Sequence, residues 1–340
     1  MDSVTQAALG AVVGELCLGK KIGNKAIVYG AIAGTIPDLD VFLDHFYNDV
    51  EAVIMHRSFS HSLVFAVFMA PFLGYLLQRI YHREDADFKD WSWFFFWTIV
   101  THPVLDIFTG YGTQFLWPFT TYGIELNTIS IVDPVFTLPL LIGVIVALFL
   151  RRTGKKRRWI IAGVLAFSTS YLLLTCVNKL YIQSVAKENM VTQQIKVNKY
   201  MTSPTLLNNI LWSIVIHEEN HFLVGYYSLF DQDRKIDFKR IPQKPELLEP
   251  YLKDEEVQQL KQFTKGFYTL QKSDKGIVLN DLRFGPVSGW FDPDQPYIFS
   301  FLIRDSKKEF NIERIEVEAP RDMEAFEPLL ERLKGKKKSD

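Results

Sequence analysis

Trp91-Ser92-Trp93-Phe94-Phe95-Phe96-Trp97-Thr98-Ile99-Val100-Thr101-His102-Pro103-Val104-Leu105-Asp106 decides the fold class of this 340-residue chain. The run stays apolar and aromatic until His102 and Asp106 and ends near Phe108, close to the roughly 20 residues that a membrane-spanning helix needs. His102 and Asp106 are spaced i, i+4 and so share one helix face. That face is a poor one for lipid, so it is expected to look into a bundle.

Working outward, Ser62–Ile80, Ile129–Leu150 and Trp159–Leu180 have the same apolar character. Val4–Leu18 and Ala26–Ile36 are shorter and rich in Gly and Ala, which predicts a tightly packed helix pair. The count is six spans. Trp91, Trp93, Trp97 and Trp117 read as an aromatic belt at the membrane interface. Cys17 and Cys176 both lie in apolar helical stretches and read as small buried hydrophobes, not a disulfide. The opening Met1-Asp2-Ser3 has no basic region of the kind that begins a signal peptide, so the first apolar stretch is expected to be retained.

The loop Arg151–Arg158 carries six positive charges, which by the positive-inside rule makes it cytoplasmic. Lys20–Lys25 is expected on the same side, as is the loop His82–Asp90. Both termini then lie outside. After about Ser184 the composition becomes charged and mixed. The expected fold is mainly α: a polytopic transmembrane helical bundle over residues 1–182 and a small extracytoplasmic α+β soluble domain over 183–340. In the latter, Trp212–Ile216 with Phe222–Phe230 and Phe267–Gln271 with Ile277–Leu282 read as hairpins. Tyr297–Ile303 reads as a strand, and Pro250–Lys265 and Met323–Leu333 as helices. The end, Lys334–Asp340, reads as a basic, disordered tail. The net charge of −1 gives no argument for a nucleic-acid partner, and a protein partner is left unknown.

The counted topology gathers the unusual polar residues on one membrane face. Asp38 and Asp40 follow Pro37, and in an extended turn alternate residues point the same way. Two such carboxylates repel unless a cation lies between them. His56-Arg57-Ser58-Phe59-Ser60-His61-Ser62 leads into an apolar helix, with Ser58 or Ser60 as a candidate cap. Neutral imidazole suits zinc and related ions, and carboxylates tolerate Mn or Mg. Arg57 has the planar fork that matches a phosphate oxygen. With His102 and Asp106, these segments supply three histidines and three carboxylates, enough for one or two divalent metal ions. Asp2, Gln6 and Tyr111 are expected near substrate on the same face. Asp133 reads as a helix cap or a carboxylate behind the ligands. His217 and His221 read as turn residues of a hairpin, and His45 and His82 as surface residues.

These residues resemble a known family. Met1-Asp2-Ser3-Val4-Thr5-Gln6 with Leu9-Gly10 and Gly14-Glu15, Gly34-Thr35-Ile36-Pro37-Asp38-Leu39-Asp40, His56-Arg57 with Ser60-His61-Ser62, and His102 with Leu105-Asp106 and Thr109 are similar to the YdjM-like membrane-bound metal-dependent hydrolases of bacteria and archaea. The resemblance covers about the first 150 residues. It implies metal-dependent hydrolysis, and some members are distantly similar to zinc-dependent phospholipase C proteins. Relatives often carry a histidine after the early threonine where this chain has Gln6, which weakens or removes one ligand.

The expected function is a hydrolase of the prokaryotic inner membrane. Asp38, Asp40, His56, His61, His102 and Asp106 are its metal ligands, and Zn is preferred over Mn or Mg. Arg57 and Asp106 are the catalytic groups, and the substrate is a membrane lipid or lipid-linked phosphoester at the outer face. The rival reading is a non-catalytic membrane protein with a structural or sensory metal site and a partner-binding outer domain.

Overall fold

The computed structural model describes residues 1–81, 85–286, 296–306, 309–317 and 327–336. Of the sequence expectations, those for His82 and its loop to Asp90, for the start of the helix at Met323 and for the end of the basic tail fall wholly or partly outside the described residues. The chain divides into two compact units, one formed by Met1–Leu43 with Met55–Cys176 and the other by Asp44–Ile54 with Val177–Asp340.

The first unit is helical. α1 (Ser3–Ile22) is capped by Asp2, whose carboxylate accepts the Thr5 N–H at 3.0 Å. α2 (Asn24–Thr35) turns back after Gly23 and packs along α1. A Cβ on Gly10 would lie 2.3 Å from the Gly30 carbonyl oxygen, and one on Gly30 would lie 2.3 Å from that of Gly10. The two backbones therefore touch, as the small-residue pattern predicts.

α2 does not end at Pro37. It tightens into 3-10 turns over Ile36–Phe46, unusually long for that geometry. α4 (Leu63–Ile80) starts at Ser62, whose hydroxyl accepts the Phe65 N–H at 3.0 Å. The cap is thus Ser62, not Ser58 or Ser60. α5 (Phe88–Asp106) opens with a capping box of Asp87 and Asp90 and packs on α4, α1 and α2. α6 (Pro134–Leu148) starts later than its apolar run because Asp133 accepts the Val135 and Phe136 N–H groups and Pro134 takes the first turn. α7 (Lys155–Thr192) is longer than its apolar core and contributes residues to both units.

Among the described residues, Asn24–Phe46, Leu63–Ile80 and Lys155–Thr192 are long and apolar enough to cross a membrane, and α6 is apolar but shorter. α1 and α5, counted as spans in the six-span reading, are not among the helices that are long and apolar enough by that measure.

Two corrections concern single side chains. Trp91 is fully buried, with Tyr29, Tyr81, Phe94 and Phe95 around it. It is a core residue, while Trp93 and Trp97 stack on each other and stay about half exposed. Cys17 is exposed, not buried; it and Cys176 are free thiols.

One buried ion pair was not anticipated. Arg157 donates from Nε and Nη2 to the two oxygens of Glu15, both at 2.6 Å, and from Nη1 to Asn24 Oδ1 at 2.7 Å and Leu150 O at 3.1 Å. It ties α1, α2 and the α6–α7 loop together.

The second unit carries two antiparallel four-stranded sheets among the described residues, each in sequence order. The first comprises β1 (Lys199–Pro204), β2 (Leu211–Glu218), β3 (His221–Ser228) and β4 (Phe238–Pro242). The second comprises β5 (Tyr268–Ser273), β6 (Gly276–Asp281), β7 (Ser300–Ser306) and β8 (Glu309–Ile315). The β2–β3 hairpin turns at Glu219, which sits at φ 48°, and α8 (Glu255–Phe263) begins after Asp254. α3 (Asp49–Met55) also begins in this unit, where the Arg314 N–H donates to Asp49 at 2.7 Å.

Gly30→Ala is expected to destabilise the helical unit by about 1–3 kcal/mol, because its new methyl would enter a backbone contact that cannot yield. Thermal unfolding in detergent checks this. Gly163→Ala, where a Cβ meets nothing within 4 Å, should melt no lower than the parent chain.

Candidate metal centre

Three segments bring the site together. The 3-10 turns after α2 carry Asp38 and Asp40, the turn Phe59–His61 carries His61, and the last turn of α5 carries His102 and Asp106. Loop contacts pin the histidine turn. The Gln114 N–H donates to Arg57 O at 3.0 Å and the Leu63 N–H to Phe115 O at 2.9 Å.

His61 Nε2 and His102 Nε2 face each other at 3.1 Å. Asp38 Oδ1 lies 3.2 Å from His102 Nε2 and 3.5 Å from His61 Nε2. Both imidazoles are fully buried, and the Asp38 side chain is 22% exposed.

The outer nitrogens identify the tautomers. His102 Nδ1 lies 2.6 Å from the Gly34 carbonyl oxygen, which only accepts, so Nδ1 carries the proton. His61 Nδ1 lies 3.0 Å from Ser60 Oγ and 3.4 Å from Asp40 Oδ2, and Ser60 itself donates to Asp40 at 2.8 Å. His61 Nδ1 therefore donates to Ser60. In the neutral rings both Nε2 atoms then present lone pairs to each other, and a positive charge between them, proton or metal ion, is required.

The three donor atoms fit a metal ion. Tetrahedral zinc with bonds of about 2.0–2.1 Å places neighbouring ligand atoms about 3.3 Å apart, close to the separations of 3.1, 3.2 and 3.5 Å here. Asp38, His61 and His102 form the group of potential ligands found among the described residues.

The other predicted residues surround this triad. Asp40 does not share a direction with Asp38, because residues two apart in a 3-10 turn lie on different faces. Its Oδ1 accepts from His56 Nδ1 at 3.0 Å, and its Oδ2 accepts from Ser60 and from the Arg57 N–H at 3.2 Å. His56 is thus linked to the triad through Asp40.

Asp106 Oδ2 lies 3.5 Å from His61 Nε2 and 3.6 Å from His102 Nε2, and it has no hydrogen-bond donor among the described residues. Its Oδ1 accepts from Gln6 Nε2 at 2.9 Å and from the α-amine of Met1. Arg57 is buried at φ 64°, a backbone region that non-glycine residues rarely adopt. Its Nε lies 3.2 Å from Asp106 Oδ2, its Nη1 donates to Thr109 at 2.9 Å, and its guanidinium sits 4.8 Å from the centre of the Tyr111 ring.

Asp2 caps α1 and accepts from the Thr5 backbone and hydroxyl. Asp133 caps α6 and accepts from Tyr171 at 2.8 Å. His217 in β2 contacts Gln243, which follows β4, and His221 at the start of β3 contacts Glu218, so both are strand residues and not turn residues. Sequence reasoning gave no role to the Gly34 carbonyl or to Thr109, which donates to the Asp106 carbonyl at 2.7 Å. A threonine three residues after a helix-terminal aspartate was the available signal for the second.

Fold and site together define a membrane-type helical protein with a buried group of two histidines and a carboxylate that is a potential metal site. A family model described as YdjM inner membrane protein matches residues 1–182, and the chain belongs to that family. It is similar to inner membrane protein YbcI of Escherichia coli, 35% identical over 124 residues that cover 34% of this chain and 67% of the relative. It is also similar to the uncharacterized protein YfhP of Bacillus subtilis, 26% identical over 233 residues that cover 66% of this chain and 68% of the relative. No solved structure matches the chain.

Asp40→Ala removes the acceptor that orders Ser60, His56 and His61. For a zinc ion held by Asp38, His61 and His102 the expected effect is a 10- to 100-fold weaker affinity, as on losing a carboxylate behind a metal-binding histidine, with the helical fold kept. Zinc titration against a competing chelator measures it, and an unchanged affinity would refute the positioning role.

Proposed function

We propose that the chain is a membrane-bound metal-dependent hydrolase acting on a phosphoester of a lipid or lipid-linked substrate at the outer membrane face. The observation that carries this reading is the pair of lone-pair nitrogens, His61 Nε2 and His102 Nε2, set 3.1 Å apart with Asp38 against both. Asp38, His61 and His102 would hold a divalent ion. Zinc suits two imidazoles and one carboxylate best, with Mn or Mg as alternatives. When bound, the ion supplies a Lewis acid that polarises a phosphoryl oxygen and makes water nucleophilic near neutral pH.

The chain's own residues divide the remaining work. Arg57 Nη2 has no protein acceptor among the described residues, which suits it to an anionic phosphoryl oxygen, while Nη1 on Thr109 and the Tyr111 ring hold the guanidinium in place. Asp106 Oδ2 lies beside both histidines and 3.2 Å from Arg57 Nε, and makes no protein hydrogen bond among the described residues; it would accept the proton of the attacking water. Gln6 fixes Asp106 through Oδ1, and its own Oε1 is buried without a partner among the described residues. The partial exposure of Asp38 gives the triad an approach from outside. The outer-face assignment rests on the basic loop Arg151–Arg158, and it makes the domain that follows α7 extracytoplasmic. A site at the membrane face supports a lipid or lipid-linked substrate.

The full burial of His61, His102 and Asp106 favours a second reading, a closed structural or sensory metal site.

Detergent-purified protein is expected to hold stoichiometric divalent metal, and His61→Ala and His102→Ala are expected to lose it while staying monodisperse. A parent chain that neither contains nor takes up metal sinks the proposal. In a phosphoester and phospholipid panel, Arg57→Lys should lower kcat/KM about 10²- to 10³-fold, as expected for a lost preorganised donor, with metal content unchanged. Bound metal without turnover of any substrate selects the structural reading.

A further inference from the structure

At the other end of α1 from the metal centre lies a second polar feature that the proposed hydrolysis does not use. Gln6 and Lys20 are 14 positions apart in α1, about 21 Å along the helix axis. There, a cavity of about 220 Å³ is lined by Glu15, Leu16, Cys17, Lys20, Arg152, Arg158 and Ile161.

Its charge balance is uneven. Glu15 is the acid in the lining, and Arg157 already neutralises it through two hydrogen bonds of 2.6 Å. That leaves three cations around the cavity. Lys20 and Arg158 are exposed and have no side-chain acceptor among the described residues. Arg152 donates from Nη1 to the Lys21 carbonyl at 3.1 Å, which holds the side chain against α1 and leaves its other donors free. The lining is apolar elsewhere: Ile161 is buried and Leu16 is about a third exposed. Trp159 and Phe149 nearby in the sequence are largely exposed. Three unpaired cations beside exposed apolar side chains match a phosphate group that carries acyl chains, and basic pockets between membrane helices on the cytoplasmic side are suited to such head groups. The positive-inside rule places this basic end in the cytoplasmic leaflet.

We propose that this cavity is a binding site for the phosphate head group of an anionic phospholipid, held by Lys20, Arg152 and Arg158 and independent of the metal centre. Leu16 and the exposed side chains beside it run alongside the first part of the acyl chains. The Glu15–Arg157 pair forms the neutral base of the site and keeps the carboxylate from competing with the lipid for the cations.

The test uses the full chain in dodecyl maltoside, with phosphatidylglycerol, phosphatidylcholine and inorganic phosphate as probes and retained adducts in native mass spectrometry as the readout. Phosphatidylglycerol should bind, and phosphatidylcholine should bind at least tenfold more weakly. Lys20→Gln/Arg158→Gln should lower phosphatidylglycerol affinity about 25-fold, at roughly fivefold per juxtamembrane charge. Both side chains are exposed and unpartnered, so the variant should melt like the parent without lipid. Lys155→Gln/Lys156→Gln removes the same charge from the same basic loop but outside the cavity, and should change affinity by less than a factor of three. An equal loss in the two double variants, or no loss in the first, overturns the site. Inorganic phosphate at millimolar concentration that displaces the lipid completely overturns the lipid assignment.

Discussion

The contact between the α1 and α2 backbones, closed around Gly10 and Gly30, is the constraint on which the helical unit depends. It leaves no room for side chains where the helices meet, so the helix–helix distance is set by main-chain atoms. Two consequences reach the candidate metal site. The Gly34 carbonyl at the end of α2 is brought to His102, where it accepts from Nδ1. Gln6, whose own carbonyl abuts Gly34, is brought to Asp106. Small residues far from any chemistry thus orient one imidazole and one carboxylate of the centre.

α1 is also held by buried polar contacts at two points along its length. Near its start Gln6 reaches the buried Asp106, and near its end Glu15 meets Arg157. A buried ion pair adds little net stability when intact, but breaking it by removing one partner costs about 3–5 kcal/mol. Such pairs act mainly on register. A one-residue rotation of α1 would turn Glu15 away from Arg157 and Gln6 away from Asp106 together, leaving polar atoms unpaired inside an apolar bundle. The glycines fix how near α1 comes, and the polar pairs fix how it is turned.

Much of this was legible in the sequence. His102 and Asp106 on one face of an aromatic helix marked a polar pair turned inward, and the Gly-rich first helices marked a close pair. The hairpins around Glu219 and Lys275 followed from alternation and turn residues. What escaped has physical reasons. Trp91 reads as an interfacial residue because indole suits that setting, and its burial depends on Tyr29 and Tyr81 from other segments. Asp38 and Asp40 read as parallel carboxylates because Pro37 suggests a chain leaving helical geometry, whereas 3-10 turns accommodate the proline. Arg157 sits in a run of six basic residues, and nothing local distinguishes the one that finds Glu15 some 140 positions earlier.

The different directions of Asp38 and Asp40 explain how His61 is prepared. One imidazole stands between two carboxylates that approach opposite ring nitrogens: Asp40, with Ser60, on the Nδ1 side and Asp38 on the Nε2 side. Two carboxylates pointing the same way would have made an acidic pocket for a hydrated cation with no control over the histidine. On separate faces, one sets the tautomer and the other joins the donor set. His102 reaches the same state through a backbone carbonyl, which needs no side chain to be kept in place. The two Nε2 lone pairs are therefore directed at one point by unrelated anchors, one from the turn after α2 and one from its last residues. Moving either anchor would relax the contact between the nitrogens without loss of any ligand residue. The facing arrangement of the two imidazoles thus belongs to the path of the chain from Gly34 to Asp40 as much as to the histidines themselves.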